Sequence, residues 1–199
     1  KPVYFIASED LFSLGFLSKL LRWAVAPIPI KKQASDIAAV LNCIRVAKEG
    51  GTIALAPEGN RTFSGKTVYI KPSIVKFARA LKLPIAIYRI EGGFGVQPRW
   101  SDAVRKGPLH GYVSRVIEQD EIKDLTDDEL YDLLVRELDV NEAVVDNSYH
   151  HPKLAEYLER AMYVCPYCGL SEFESNGDIV RCKHCNWQIR YLPTKELVG

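Results

Sequence analysis

The sequence has a single methionine, four histidines and no apolar run long enough to cross a bilayer uncharged. Its longest apolar-leaning stretch, Leu11 to Ile30, is broken by Lys19 and Arg22. That falls short of the roughly 20 nearly uncharged residues a spanning helix needs, so no transmembrane helix is expected. The opening Lys-Pro-Val-Tyr-Phe-Ile-Ala has strand composition and lacks the basic, apolar, small-residue order of a signal peptide. It also lacks an initiating methionine, so the N-terminus is expected to be cut. Internal repeats and low-complexity tracts are missing too. With 47% hydrophobic and 26% charged residues over 199 positions, disorder and collagen-like fibre are excluded. The length fits one domain of ordinary size with a small appendage.

Net charge is also scarce, at +1, but it is unevenly distributed. Residues 1–110 hold 17 Lys and Arg against 7 Asp and Glu, whereas residues 111–164 hold 5 against 14, and the last 35 residues balance. A basic first half suits an anionic substrate or surface: a phosphate, a phospholipid headgroup or a nucleic acid.

Of the five cysteines, four form two Cys-x-x-Cys pairs, Cys165/Cys168 and Cys182/Cys185, with thirteen residues between the pairs. Each pair places two thiolates on one tight turn, and two such turns close a tetrahedron around Zn²⁺ with no open position. Phe173 to Arg181 alternates around Asn176-Gly177, a hairpin signal, and Trp187 to Leu192 supplies a third strand. These features predict a zinc ribbon over residues 164–192 with Cys165, Cys168, Cys182 and Cys185 as structural Zn²⁺ ligands. A rubredoxin-like iron site uses similar knuckles, but the gap here is short for one. His184 lies inside the second knuckle, where four thiolates already fill the shell. Such spacing implies a reducing cytosol and not a disulfide framework. The fifth cysteine, Cys43, falls in a helical segment as a small buried apolar residue.

The remaining chain predicts an α/β domain over residues 1–122, with a mixed, mostly parallel sheet flanked by helices. Strands are expected at Val3–Ala7, Pro27–Ile30, Thr52–Ala56, Pro84–Ile90 and Leu109–Ile117. Helices are expected from Asp10 to Val25, from a cap at Ser35 or Asp36 to the Gly50-Gly51 stop, and from Pro72 to Lys82. An acidic helical segment spans 123–163. Its first helix opens with a capping box, Thr126 and Glu129, and its second covers Pro152 to Met162. Gly92-Gly93-Phe94-Gly95 is a turn and not a nucleotide fingerprint, because the third glycine is misplaced. Tyr88 and Trp100 are expected to line the core or a substrate groove.

Ala54-Leu55-Ala56-Pro57-Glu58-Gly59-Asn60-Arg61-Thr62 follows a central strand, at the end of the sheet where ligands bind in α/β folds. A glycine turn with an arginine, flanked by Ser64, Gly65 and Lys66, can offer backbone N–H groups and a guanidinium fork to a phosphate. Glu58 would orient that fork or accept a substrate hydroxyl. The plain alternative is a surface loop with an internal ion pair.

Pro57-Glu58-Gly59-Asn60-Arg61-Thr62 resembles the Pro-Glu-Gly-Thr-Arg-Ser block of the glycerolipid acyltransferases, the lysophosphatidic acid acyltransferase family. The resemblance runs in order over about the first hundred residues. Lys1 to Leu14 resembles the segment after the family's first block, Ile28-Pro29-Ile30-Lys31 its second, and Leu83-Pro84-Ile85-Ala86-Ile87 its fourth. Asn60 stands where threonine is usual, and Lys31 or Lys32 where arginine is common. The second proline of the fourth block is missing. The first block, His-x-x-x-x-Asp, is not present, and its His and Asp are expected upstream of Lys1. Only His151 has a carboxylate five residues on, Glu156, but that pair follows the Glu58 block and its Pro152 suits a helix start better.

The resemblance implies transfer of a fatty acyl group from coenzyme A or acyl carrier protein to the hydroxyl of a lysophospholipid such as lysophosphatidic acid, in phospholipid biosynthesis. The upstream His would be the base. Arg61, the Gly59 backbone and Lys31 would grip the acceptor phosphate, and Glu58 would hold Arg61 or the glycerol. Without the His-x-x-x-x-Asp block, the 199 residues are expected to be inactive alone. The competing reading is a non-catalytic zinc-ribbon adaptor on a degenerate phosphate- or lipid-binding domain. Nucleic acid is not an expected partner. The Leu11–Val25 helix has a lone polar stripe of Gly15, Ser18, Lys19 and Arg22. This predicts a cytoplasmic protein held peripherally on the inner membrane surface.

Overall fold

The computed structural model describes residues 2–8, 27–30 and 37–199. The expected helix from Asp10 to Val25, the Ser35 or Asp36 cap and the site residue Lys31 lie outside the described residues. The chain divides into two compact units interleaved in sequence. The first comprises Lys1–Asn60, Tyr69–Ala86 and Val116–Arg136; the second comprises Arg61–Val68, Ile87–Arg115 and Glu137–Gly199.

In the first unit, β1 (Val3–Ser8) is the centre of a three-stranded sheet, between β2 (Ile28–Ile30) and β3 (Thr52–Ala54). Both pairings are parallel, with Ile6 opposite Ile28 and Tyr4 opposite Ile53. Helix α1 (Ile37–Lys48) buries Ala39, Cys43 and Val46. These join Ile28 in a cluster flanked by Tyr4, Ile6, Ile30, Ile53 and two residues of α2 (Ser73–Leu81), Phe77 and Leu81. Cys43 is fully buried, and burial pushes its thiol pKa up, as expected of a small apolar residue.

Helix α1 stops because Gly50 adopts φ +80°, open to a residue without Cβ. The Gly51 amide then donates to the Val46 carbonyl and the Gly50 amide to Ala47, completing a Schellman motif. This turn delivers the chain into β3 and sets where the following loop begins.

The acidic helices α4 (Gln119–Asp124) and α5 (Asp127–Leu138) are tied to α2 by one arginine. Arg79 Nε pairs with Asp127 (2.7 Å), and its two Nη atoms donate to the carbonyls of Ile122 (2.5 Å) and Leu125 (2.6 Å). Thr126 caps α5 as its sequence predicts: Glu129 Oε2 accepts from the Thr126 amide and hydroxyl, and Thr126 Oγ1 accepts from the Glu129 amide. The amide bond holds the Glu129 carboxyl below its ordinary value.

In the second unit, β4 (Ile85–Glu91) pairs with β5 (His110–Ile117), and a one-turn helix α3 (Gly93–Val96) follows β4. The C-terminal residues form a four-stranded antiparallel sheet: β6 (Phe173–Asn176), β7 (Ile179–Cys182), β8 (Gln188–Tyr191) and β9 (Leu197–Val198). Asn176 faces Ile179, so Gly177 and Asp178 form the two-residue hairpin loop, with Gly177 at φ +60°. The hairpin forms, one residue later than the Asn-Gly signal placed its centre.

Two sequence expectations are corrected in this unit. Pro152 to Met162 is not an α-helix but a series of turns with a 3-10 segment at Leu158–Arg160. The hairpin competes for its backbone: the Ala155 amide donates to the Gly177 carbonyl, the Tyr157 amide to Ser175 Oγ, and Tyr157 takes φ +69°. Of the two places expected for Tyr88, core or substrate groove, the core is excluded: it is 57% exposed and lies across Gly111, where a Cβ would meet its hydroxyl at 2.1 Å.

Candidate functional site

The Glu58–Arg61 loop leaves β3 through a turn in which the Gly59 amide donates to the Ala56 carbonyl, with Gly59 at φ +72°. Glu58 is half-buried, and Gly59, Asn60 and Arg61 are exposed. Beyond Arg61, Thr62 Oγ1 accepts from the amides of Ser64 (3.0 Å) and Gly65 (2.7 Å), closing the loop on itself. The Glu142 amide donates to the Gly65 carbonyl (2.9 Å), and Thr67 Oγ1 accepts from the Val140 amide (2.8 Å). Gly65 is required here: it holds φ +76°, and a Cβ would stand 2.9 Å from the Phe94 ring.

Arg61 Nη1 makes one long hydrogen bond, 3.5 Å, to the Gln97 carbonyl. Arg99 Nη1 donates to the Arg61 carbonyl (3.3 Å), and its guanidinium lies 4.7 Å from the centre of the Phe63 ring. Within the second unit no carboxylate pairs with either guanidinium. The exposed guanidinium groups of Arg61 and Arg99 at this loop are suited to an anionic ligand. The sequence pattern supplies Glu58, Gly59, Arg61 and Thr62 but contains no signal for Arg99 or Glu142, which reach this loop only through folding.

His151 is in a structural position. Its Nδ1 accepts from the Lys153 amide (3.0 Å), while Glu156 pairs with Lys153 Nζ (2.8 Å) and not with the imidazole. No His–carboxylate dyad is formed there.

The sulfur atoms of Cys165, Cys168, Cys182 and Cys185 all lie within 4.8 Å of one another. Cys165 and Cys185 are 3.6 Å apart, as are Cys168 and Cys182. A tetrahedral Zn²⁺ with bonds of about 2.3 Å sets its sulfurs roughly 3.8 Å apart, so the four thiols fit the metal. The knuckle backbone already favours thiolate: the amides of Cys185 and His184 hold the Cys182 pKa down to about 6. The Cys165 amide donates to the Leu170 carbonyl and the Gly169 amide to Cys165, giving the first knuckle its turn. His184 is exposed and 3.7 Å from Glu172, outside the cluster.

The cysteine module has its own core, in which Cys165, Cys182, Phe173, Val180 and Tyr191 bury with Trp100, Leu154 and Leu158. Arg105 inserts between the rings of Trp100 (4.7 Å) and Tyr191 (5.0 Å) and donates to the Leu154 carbonyl. Desolvation lowers its pKa, and the neighbouring Tyr191 opposes that shift.

Residues 1–90 match the family model described as Acyltransferase. The match takes in the Glu58–Arg61 block and covers 90 of the 199 residues. Among solved structures, the 1-acyl-sn-glycerophosphate (LPA) acyltransferase PlsC from Thermotoga maritima matches with a TM-score of 0.55 and 20% identity, over 67% of this chain. The chain spans about half of that protein, 52%, and at this identity the likeness is one of fold. No curated protein sequence matches the chain. The match to the acyltransferase model ends well before the cysteine module, which begins near Cys165.

Proposed function

We propose that the protein is an O-acyltransferase that moves a fatty acyl group from coenzyme A or acyl carrier protein to the hydroxyl of a lysophospholipid with a terminal phosphate. The observation that carries this reading is the Glu58–Arg61 block, which lies within the acyltransferase match and places an exposed guanidinium on a loop after β3. Arg61 and the Gly59 backbone grip the acceptor phosphate, and Glu58 holds the glycerol or Arg61. Lys31 adds a further charge to the phosphate. Binding energy at the phosphate fixes the hydroxyl against the thioester carbonyl.

The base is a histidine of a His-x-x-x-x-Asp block preceding Lys1, since none of the four histidines here has an Asp five residues on. It takes the hydroxyl proton, the alkoxide attacks the thioester carbon, and the thiolate of the donor leaves with the C–S bond electrons. No step uses the metal. Zn²⁺ at Cys165, Cys168, Cys182 and Cys185 has four sulfur ligands and no open position, so its contribution is to the fold of the module. The protein works from the cytoplasmic side as a peripheral protein on the inner membrane. Among the described residues no helix is long and apolar enough to cross a membrane.

The test is acyl transfer by the full-length gene product, with radiolabelled acyl-CoA and lysophosphatidic acid. Product formation that disappears in Arg61→Ala supports the enzyme. A full-length product that binds lysophosphatidic acid without turning it over is the result expected of the adaptor.

A further inference from the structure

Arg99 belongs to none of the motifs visible in the sequence, yet it clasps the loop that carries Arg61. Its Nη1 donates to the Arg61 carbonyl and its guanidinium stacks on Phe63, while Arg61 Nη1 reaches back to the Gln97 carbonyl. The segment 97–99 and the segment 61–63 therefore hold each other by reciprocal contacts.

What fixes Arg99 is its neighbours. Pro98 and Trp100, on either side, are buried, and the Ser101 amide donates to the Pro98 carbonyl (3.1 Å), closing a turn around Arg99. Trp100 is rooted in the cysteine module: only 1% exposed, it meets Tyr191 edge-on at 5.4 Å and shares a buried cluster with Cys165 and Cys182. Arg160, from the 3-10 turn before the first knuckle, donates to the Trp100 carbonyl (3.2 Å) and pairs with Asp102 (2.9 Å). Phe63 and Ser64 also line a cavity of about 250 Å³ whose other walls include Trp100, Tyr191 and Leu197. The loop and the module thus face a common space.

We propose that Arg99 is a positioning residue for the acceptor-phosphate loop, and that the metal-bound cysteine module, through Trp100, sets where Arg99 stands. This rests on the reading of Arg61 as the phosphate ligand. Free arginine side chains and exposed loops lose conformational freedom on binding an anion, and that loss weakens affinity. A guanidinium already stacked on Phe63 and anchored beside a buried tryptophan keeps the Arg61 loop ordered before the ligand arrives. The module then serves as a brace for an element distant from it in sequence, which supplies a reason for joining it to an acyltransferase segment.

The experiment measures binding of lysophosphatidic acid, in neutral detergent micelles, to the metal-loaded full-length protein by calorimetry. Amide exchange at residues 62–65 is followed in parallel. Arg99→Ala should weaken binding about tenfold and accelerate exchange of the loop. Arg99→Lys should recover less than half of the loss, because an ammonium lacks the planar fork that stacks and donates at once. Metal removal should weaken the wild type by a similar factor but add little in Arg99→Ala, the non-additivity expected of one shared path. Should the metal-free protein unfold, metal-loaded Trp100→Phe replaces it in the same cycle. Unchanged binding and exchange in Arg99→Ala, full recovery by lysine, or equal effects of metal removal in both backgrounds would each overturn the proposal. Failure of the underlying reading looks different: Arg61→Ala would then leave affinity intact, while the exchange response to Arg99→Ala still reports on the clasp.

Discussion

Arg61 and Gly95 illustrate two ways in which a single residue governs this protein. Arg61 is exposed, so its replacement should be felt in binding and not in folding. We expect Arg61→Ala to weaken lysophosphatidic acid binding by about ten- to a hundredfold, the range for a charged hydrogen-bonding group. Arg61→Lys should restore it only in part, and thermal unfolding should be unchanged in both. Gly95 is buried, and a Cβ there would stand 2.1 Å from the Tyr149 ring. Tyr149 is itself 1% exposed, so Gly95→Ala should cost about 1–3 kcal/mol in urea unfolding. A variant as stable as the wild type would mean that Tyr149 can move aside. The two residues also differ in legibility. Arg61 stands in a motif, whereas the need for Gly95 arises from a ring contributed more than fifty residues later.

At the scale of elements, local signals and long-range competition decide different segments. The capping box of α5 formed where the sequence placed it, because Thr126 and Glu129 need only each other's backbone. Thr126→Ala should lower stability by about 1 kcal/mol, visible as a few degrees in the melting temperature. A melting temperature equal to the wild type would show that Arg79 alone holds the start of the helix. The segment from Pro152 shows the opposite case. Its composition suits a helix, but the β6–β7 hairpin accepts the hydrogen bonds of the Ala155 and Tyr157 amides, and the helix is lost. The zinc proposed at the four cysteines would make their module depend on metal. Cys182→Ser should abolish stoichiometric zinc and unfold the four-stranded sheet, seen as loss of amide protection in β6 to β8, while β1 to β3 keep theirs. Retention of one zinc per chain in Cys182→Ser would remove that residue from the ligand set.

For the whole molecule, acidity and lipid are the informative variables. Zinc needs four thiolates, and in the metal-free protein the Trp187 amide pulls the Cys185 pKa down but burial and the three neighbouring thiols outweigh it and push it up to about 12. Loading near neutral pH must therefore release protons, and affinity must fall as acidity rises. A competition titration with a chromogenic chelator between about pH 8 and 5 should show apparent zinc affinity decreasing steadily toward the acid end. A flat profile would contradict thiolate ligation. Membrane attachment through the basic first half predicts that the chain floats with anionic vesicles at low salt and is released at high salt. Recovery in the soluble fraction at low salt would remove the peripheral placement.

The sequence alone determined those features that depend on residues close together in the chain: two cysteine knuckles, a parallel α/β segment, a buried Cys43, a capped α5, and the Glu58–Arg61 block that lies within the match to the acyltransferase model. Each is encoded by spacing, periodicity or a cap whose partners lie within a few positions. Tertiary structure alone decided that the four thiols meet within 4.8 Å of one another, that Pro152 to Met162 abandons its helix, that Tyr88 faces outward, and that Arg99 donates to the Arg61 carbonyl beside a tryptophan buried with the cysteines. Those outcomes turn on which distant groups compete for the same hydrogen bonds and the same volume, a competition that local sequence patterns do not contain.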